Sequence, residues 1–258
     1  MVLTIDIGNT NIVLGVWDKE TLLFVSRLKT DKLKTEDGYA IELKNVFELY
    51  NVNSSKIHGS IISSVVPQIS NAVARAVERL IEKKPLVVSP GIKTGLNIKT
   101  DDPAQLGSDI VVGAVAALSK YPKPIIIFDM GTATKISVID TNSSFLGCVI
   151  LPGIRIGFDA LSERTAQLPQ VGLEAPGDII GKNTIESMMS GAVFGTASMM
   201  DGMVERIEQR LSQKATVIAT GGNLGDIAKF CKTEIIENAN LILEGLILIY
   251  RKNAITKL

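Results

Sequence analysis

The stretch Ile5-Asp6-Ile7-Gly8-Asn9-Thr10-Asn11 returns in outline 123 positions later as Phe128-Asp129-Met130-Gly131-Thr132-Ala133-Thr134. Each copy reads as an apolar strand, an Asp-x-Gly turn, small hydroxyl or amide residues, and a second β-branched strand. A repeat at nearly half the chain length asks for two similar α/β halves. Such a hairpin also has the chemistry to hold phosphate. Glycine lets backbone N–H groups approach an anion, Asn and Thr add donors, and Asp can hold a metal ion or its water. Either turn alone is also ordinary turn chemistry, in which Asn and Asp bond their own backbone. The pairing in matching strand contexts is what points to a nucleotide gripped by two related domains.

The strand and helix signals repeat in the same order. Strands are predicted at 2–7, 12–17 and 22–28, then a helix from Thr35 to Leu49 with Thr35 as cap and acids in its first turn. A strand at 61–66, a helix at 70–83 with apolar residues at helical spacing, and a short strand at 85–88 complete the first series. The second series has strands at 125–129, 135–139 and 145–151 and a long helix at 184–211. A strand at 217–220, a short helix at 226–231, a strand at 234–237 and a closing helix at 241–252 follow. Tyr121-Pro122-Lys123-Pro124 breaks the helix before it, so the boundary is expected near 117–123, with domains at 1–118 and 119–258.

Composition excludes several classes. Lys plus Arg and Asp plus Glu number 27 each, so net charge gives no sign of a nucleic-acid or anionic membrane partner. Cys148 and Cys231 are too few for a disulfide framework or a Cys-rich metal site. Asp6 interrupts the apolar start, against a signal peptide, and the apolar run 241–250 carries Glu244 and is too short to span a bilayer. A soluble cytoplasmic protein is expected. His58, the one histidine, sits beside a strand with no Cys or Ser partner, which suits a strand-end residue better than a catalytic one. There is no Gly-x-x-x-x-Gly-Lys-Ser/Thr and no Gly-x-Gly-x-x-Gly after a first strand, so P-loop and dinucleotide folds are unsupported.

Three further segments carry possible chemistry. Thr220-Gly221-Gly222-Asn223 follows a strand, where the glycines would let a flat base or ribose lie against backbone or would simply make a tight turn. Ser108-Asp109 opens the helical run 110–118, where an acid complements the helix dipole. The span 187–210 mixes Gly191, Ala192, Gly195, Ala197, Ser198 and Gly202 with five methionines. Small residues allow close helix approach and Met fills gaps, within the domain or across a dimer interface.

The pieces in this order resemble the superfamily of acetate and sugar kinases, heat-shock chaperones and actin, and within it the type III pantothenate kinases. The resemblance rests on 6–15, on Pro103 to Asp109, on Asp129 to Thr134 and on Pro152-Gly153-Ile154. Thr165 to Pro169, Ile180 to Thr184 and Thr220-Gly221-Gly222 add to it. It implies two duplicated ribonuclease H-like domains with an ATP cleft between them. It implies ATP-dependent phosphorylation of pantothenate to 4′-phosphopantothenate, the first step of coenzyme A biosynthesis, by a homodimer.

By the same resemblance Asp109 is the base that takes the substrate hydroxyl proton. Asp6, Ile7, Gly8, Asn9, Thr10, Asn11, Ile12, Val13, Thr132, Gly221 and Gly222 are expected around ATP. Asp6 would hold Mg²⁺ through water, and Asp129 a monovalent cation, K⁺ or NH₄⁺. Thr100, Gly107, Ser108, Asp109 and Ile110 would meet pantothenate, with Thr184 reaching it across the dimer interface. Two positions depart from the family pattern: Ile110 stands where the family usually has Arg, and Thr100 where it usually has Tyr. These departures leave open a kinase of the same fold with a shifted small-alcohol acceptor. A non-enzymatic, nucleotide-binding regulatory protein is the other alternative.

Overall fold

The computed structural model describes residues 1–225 and 227–254 and divides into two compact units. The first comprises Met1–Leu96, Asp101–Ser119 and Asn240–Leu258; the second comprises Asn97–Thr100 and Lys120–Ala239.

In the first unit, β1 (Val2–Ile7), β2 (Asn11–Asp18) and β3 (Thr21–Lys29) form an antiparallel meander. Helix α1 (Glu36–Leu49) follows, capped by Thr35, whose side chain accepts from Gly38 N–H. Strand β4 (Gly59–Ser64) then lies parallel to β1 on its other side. Helix α2 (Pro67–Ile81) begins three residues before the expected start, because Pro67 suits the first turn, where its missing N–H costs nothing. Strand β5 (Leu86–Val87) runs parallel to β4, and the sheet order is β3-β2-β1-β4-β5.

Both faces of this sheet are covered. Alternation along β1 sends Leu3, Ile5 and Ile7 into one core, with Tyr39, Leu43 and Phe47 of α1 and Val73 and Val77 of α2. Val2 points to the opposite core, with Trp17, Ile61, and Val112 of α3 (Ser108–Lys120). Leu243, Leu246 and Ile247 of α6 (Leu241–Ala254) fill that core. The sequence places the closing helix within domain 119–258. It packs instead against β1, β2 and β4, because its apolar residues supply the second cover this sheet needs.

The second unit repeats the pattern. Strands β7 (Ile125–Met130), β8 (Ala133–Ile139) and β9 (Ser144–Pro152) form a meander, and β10 (Thr216–Thr220) and β11 (Ile236–Glu237) add in parallel beyond β7. A two-residue strand, β6 (Asn97–Ile98), pairs with β9, giving the order β11-β10-β7-β8-β9-β6. Strand β6 is not among the expected elements; it is held by the Asn97 side chain donating to Ser144 Oγ at 2.9 Å. Nor is α4 (Ile154–Arg164), whose cap, Gly153, makes no side-chain hydrogen bond and so leaves no cap signal.

Helix α5 (Thr184–Leu211) coincides with the expected span, and its N-cap Asn183 accepts from Glu186 N–H at 2.9 Å. The short helix expected at 226–231 is a 3₁₀ turn, Ile227–Phe230; Asp226 lies outside the described residues. No helix among the described residues is long and apolar enough to cross a membrane.

Glycine makes one of these packings possible. A Cβ on Gly245 of α6 would sit 2.1 Å from the Val112 carbonyl oxygen of α3. Gly245→Val is expected to lower stability by about 1–3 kcal/mol through overpacking against backbone that has no room to yield. Gly157→Ala, where a Cβ meets nothing within 4 Å, is expected to be neutral or slightly stabilising. Thermal melts of the two variants against the parent check the contrast.

Candidate active site

The first hairpin turns at Gly8-Asn9-Thr10 between β1 and β2. Gly8 N–H donates to Asn11 O at 3.0 Å, and a Cβ on Gly8 would lie 3.1 Å from that oxygen. Thr30, just past β3, fixes the turn from outside. Its N–H donates to Thr10 O at 3.0 Å and its hydroxyl donates to Gly8 O at 2.7 Å. Two carbonyls of the turn are thus occupied, while Asn9, Thr10 and Asn11 remain exposed. Thr30 is not among the expected site residues. A signal for it exists in the strand register, since pairing Asn11 with Lys29 places residue 30 beside the turn.

Not every residue expected around ATP offers a side chain there. Ile7 and Ile12 are core residues of the first unit, so only their backbone faces the turn; Val13 is half-buried on β2. Asp6 is the half-exposed position in an otherwise buried strand.

Strand β4 ends beside Asp6, with Ser63 in register with Asp6 and Ser64 with Ile7. Ser108, the first residue of α3, closes onto this end. Its Oγ lies 3.0 Å from Ser63 Oγ, accepts from Ser64 N–H at 3.2 Å, and donates to Ser64 O at 3.0 Å. Ser70 Oγ in turn donates to Ser64 Oγ at 2.7 Å. This network ties the start of α3, and therefore Asp109, to the same end of the sheet as Asp6. The Asp109 carboxylate accepts from Ile110 N–H at 2.8 Å and also lies over Gly107, where a Cβ would come within 2.6 Å of Oδ1. Gly107 thus leaves room for the carboxylate. Ile110 is only 9% exposed, so it presents little surface to a ligand. His58 lies at the other end of the strand, its N–H donating to Met1 O, and burial holds its imidazole below the usual histidine range.

The second hairpin repeats the first in the other unit. Asp129 is again the half-exposed position of a buried strand, and Thr132 is exposed at the turn. Across the ladder from Asp129 stands Lys135, whose Nζ is 2.7 Å from Asp129 Oδ2. The Gly221-Gly222-Asn223 turn packs behind this hairpin. Asn223 N–H donates to Met130 O at 3.1 Å and its side-chain amide donates to Gly131 O at 2.9 Å. Gly221 has φ +101°, and a Cβ there would fall 2.6 Å from the Met130 carbonyl carbon. The tight-turn reading therefore accounts for Gly221, while Gly222 is exposed. From the far side Gly153 N–H donates to Thr132 O at 3.1 Å.

The remaining expected residues lie in the second unit. Thr100 follows β6, and its Oγ1 is buried with no hydrogen-bond partner among the described residues. Thr184 opens α5 and lines a cavity of about 790 Å³. Leu151, Ile154, Phe158 and Leu161 form one side of that cavity, and Gly191, Gly195 and Met199 form part of the other. Along the small-residue and Met stripe of α5, Val193, Ala197, Met200 and Val204 face the core, Gly191 and Gly195 line the cavity, and Ala192 and Met199 border both.

Gly221→Ala is expected to lower the melting temperature well beyond Gly91→Ala. Gly91 shares a positive φ (+95°), but an added Cβ there meets nothing within 4 Å, so only the backbone strain of about 1–2 kcal/mol applies. Calorimetry of both variants separates backbone strain from the clash with Met130.

Comparisons with known proteins bear on the chain as a whole. A family model described as type III pantothenate kinase matches residues 2–206. A type III pantothenate kinase from an Exiguobacterium species is 43% identical over 253 residues, covering 98% of this chain and 99% of that protein. The Bacillus cytotoxicus protein of the same name is 43% identical over 255 residues, covering 99% and 97%. Among solved structures, the activator of the 2-hydroxyisocaproyl-CoA dehydratase from Clostridium difficile, with bound ADPNP, has a TM-score of 0.55 at 12% identity, covering 100% of this chain and 97% of that one. An ethanolamine utilization protein from Carboxydothermus hydrogenoformans has a TM-score of 0.51 at 16% identity, covering 96% and 88%. These structural likenesses extend to the two-sheet α/β fold alone. With a family model across most of its length and relatives at 43% identity from end to end, the chain belongs to the type III pantothenate kinase family.

Proposed function

We propose that this chain transfers the γ-phosphoryl group of ATP to the primary hydroxyl of pantothenate, yielding 4′-phosphopantothenate and ADP at the entry to coenzyme A biosynthesis. The observation that carries the reading is the Ser63–Ser64–Ser108 network, which ties the start of the Asp109 helix to the end of β4, beside Asp6 on β1. Phosphoryl transfer needs an oriented nucleophile and neutralised phosphate charge, with little covalent work from the protein.

In this reading the Asp109 carboxylate accepts the pantothenate hydroxyl proton as that oxygen bonds to the γ-phosphorus. The bond from γ-phosphorus to the bridging oxygen breaks, and ADP carries the electron pair away. The backbone of Ile7, Gly8, Ile12 and Val13 and the side chains of Asn9, Thr10 and Asn11 bind phosphate from the first hairpin. Thr132 does so from the second, with exposed Gly222 beside the nucleotide and Gly221 shaping the turn. Thr100, Gly107, Ser108 and Ile110 belong to the acceptor half; there the buried Thr100 hydroxyl is a donor awaiting an acceptor, and Ile110 contributes packing.

No cluster of three or more His, Cys, Asp or Glu side chains suited to a metal occurs among the described residues. The fit for Mg²⁺ is therefore the usual one for nucleotide sites, a carboxylate plus substrate phosphates and water. Half-exposed Asp6 has that chemistry; the ion, when bound, offsets phosphate charge. For K⁺ or NH₄⁺ at Asp129 the fit is poor, because Lys135 already meets that carboxylate.

One steady-state series tests the assignment. Asp109→Asn is expected to cut kcat at least about 10²-fold while nucleotide binding persists. Thr30→Val, which leaves the Gly8 carbonyl unpaired, is expected to raise KM for ATP several-fold with a smaller change in kcat, and Thr30→Ser to restore it. Near-parental kcat for Asp109→Asn would remove the base assignment.

The chain is also assigned as a cytoplasmic homodimer joined through 184–211, with Thr184 facing the partner's acceptor site. Support comes from the exposed Ile185 and from the open space around Gly191 and Gly195 on α5. Light scattering should give twice the 27.7 kDa chain mass, and a monomer at assay concentration would refute the dimer.

A further inference from the structure

We propose that the Lys135 ammonium is a built-in monovalent cation that takes the place of K⁺ or NH₄⁺ at Asp129, so that catalysis by this chain does not depend on added potassium. The inference rests on the kinase reading above for its consequence, though not for its geometry.

The two hairpins are duplicates, and their difference is informative. In the first, the residue in register with Asp6 is Val13, an apolar side chain that offers no charge. In the second, the residue in register with Asp129 is Lys135. The cross-strand position brings Nζ to 2.7 Å from Asp129 Oδ2, a charge-assisted contact. Both side chains are largely withdrawn from water, at 16% exposure for Lys135 and 24% for Asp129. A free cation arriving at this carboxylate would face the ammonium at close range, and like charges in a partly dehydrated setting oppose each other strongly.

An ammonium group also resembles NH₄⁺ in chemistry, so the side chain supplies the same donors from a tethered position. Tethering removes the need to capture an ion from solution. Thr132, exposed at the turn, follows Asp129 by three residues on the same hairpin.

Removing only the ammonium should expose the underlying site. Lys135→Thr leaves a half-buried carboxylate without this counter-charge, an arrangement that is costly unless another cation fills it. K⁺ and NH₄⁺ shed water more readily than Na⁺ and should be preferred. Lys135→Arg keeps the charge and should keep the parental behaviour.

The test compares the parent, Lys135→Thr and Lys135→Arg in matched sodium, potassium and ammonium chlorides, by thermal melting and by phosphopantothenate formation. The parent and Lys135→Arg should melt at the same temperature in all three salts, with rates equal within about two-fold. Lys135→Thr should melt higher in potassium and ammonium than in sodium, and its rate should rise at least about ten-fold on leaving sodium. A potassium-specific rise in melting temperature or rate for the parent itself would overturn the proposal. So would a Lys135→Thr variant as indifferent to the salt as the parent. If none of the three proteins forms phosphopantothenate in any salt, the functional reading fails, and the melting comparison still decides whether Lys135 fills the cation site.

Discussion

The burial of two central strands on both faces is the constraint on which the site depends. Strands β1 and β7 share one pattern: four buried positions, one half-exposed aspartate, and a buried residue at the end. A slip of one residue in either register would drive the carboxylate into a core and turn an isoleucine or methionine out to water. Hydrophobic packing thus fixes the positions of Asp6 and Asp129 along their strands. The turns that follow inherit that position, and Thr30 in one unit and Asn223 in the other pin them by their carbonyl groups.

Asp109 depends on a different part of the chain. Helix α3 carries Asp109 on its first turn and is anchored there by Ser108. Further along, Val112 of α3 meets Gly245 of α6, in the same core as Trp17 and Ile61. The last helix of the chain therefore supports the helix that carries Asp109, although more than a hundred residues separate them. A change in α6 that loosened this packing would be felt at Asp109 without touching any ligand.

Duplication explains the symmetry of the two halves, and divergence after it explains their different electrostatics. The same cross-strand position holds Val13 in one hairpin and Lys135 in the other. In the first, the facing side chain is apolar; in the second, the carboxylate meets a tethered ammonium at 2.7 Å. One topology thus gives two equivalent aspartates unlike electrostatic surroundings.

Much of this was legible in the residues themselves. The repeated Asp-x-Gly turns, the alternation of apolar runs with helical patterns, and the Thr35 and Asn183 caps are local features, and local preferences agree with the final fold. The sequence alone determined that two like α/β units exist, that each carries an Asp-x-Gly hairpin, and that Asp109 opens a helix. Tertiary structure decided what depended on distant partners. It assigned α6 to the first sheet, where Leu243, Leu246 and Ile247 join Val2, Trp17, Ile61 and Val112 in one core. It added β6, two residues too short to show a period, through pairing with β9. It withdrew the side chains of Ile7, Ile12 and Ile110 into packed cores, leaving only backbone or a thin edge for ligands. It also turned Lys135 toward Asp129, since lysine after a hairpin reads locally as solvent-facing charge and only the strand register shows which group stands across from it.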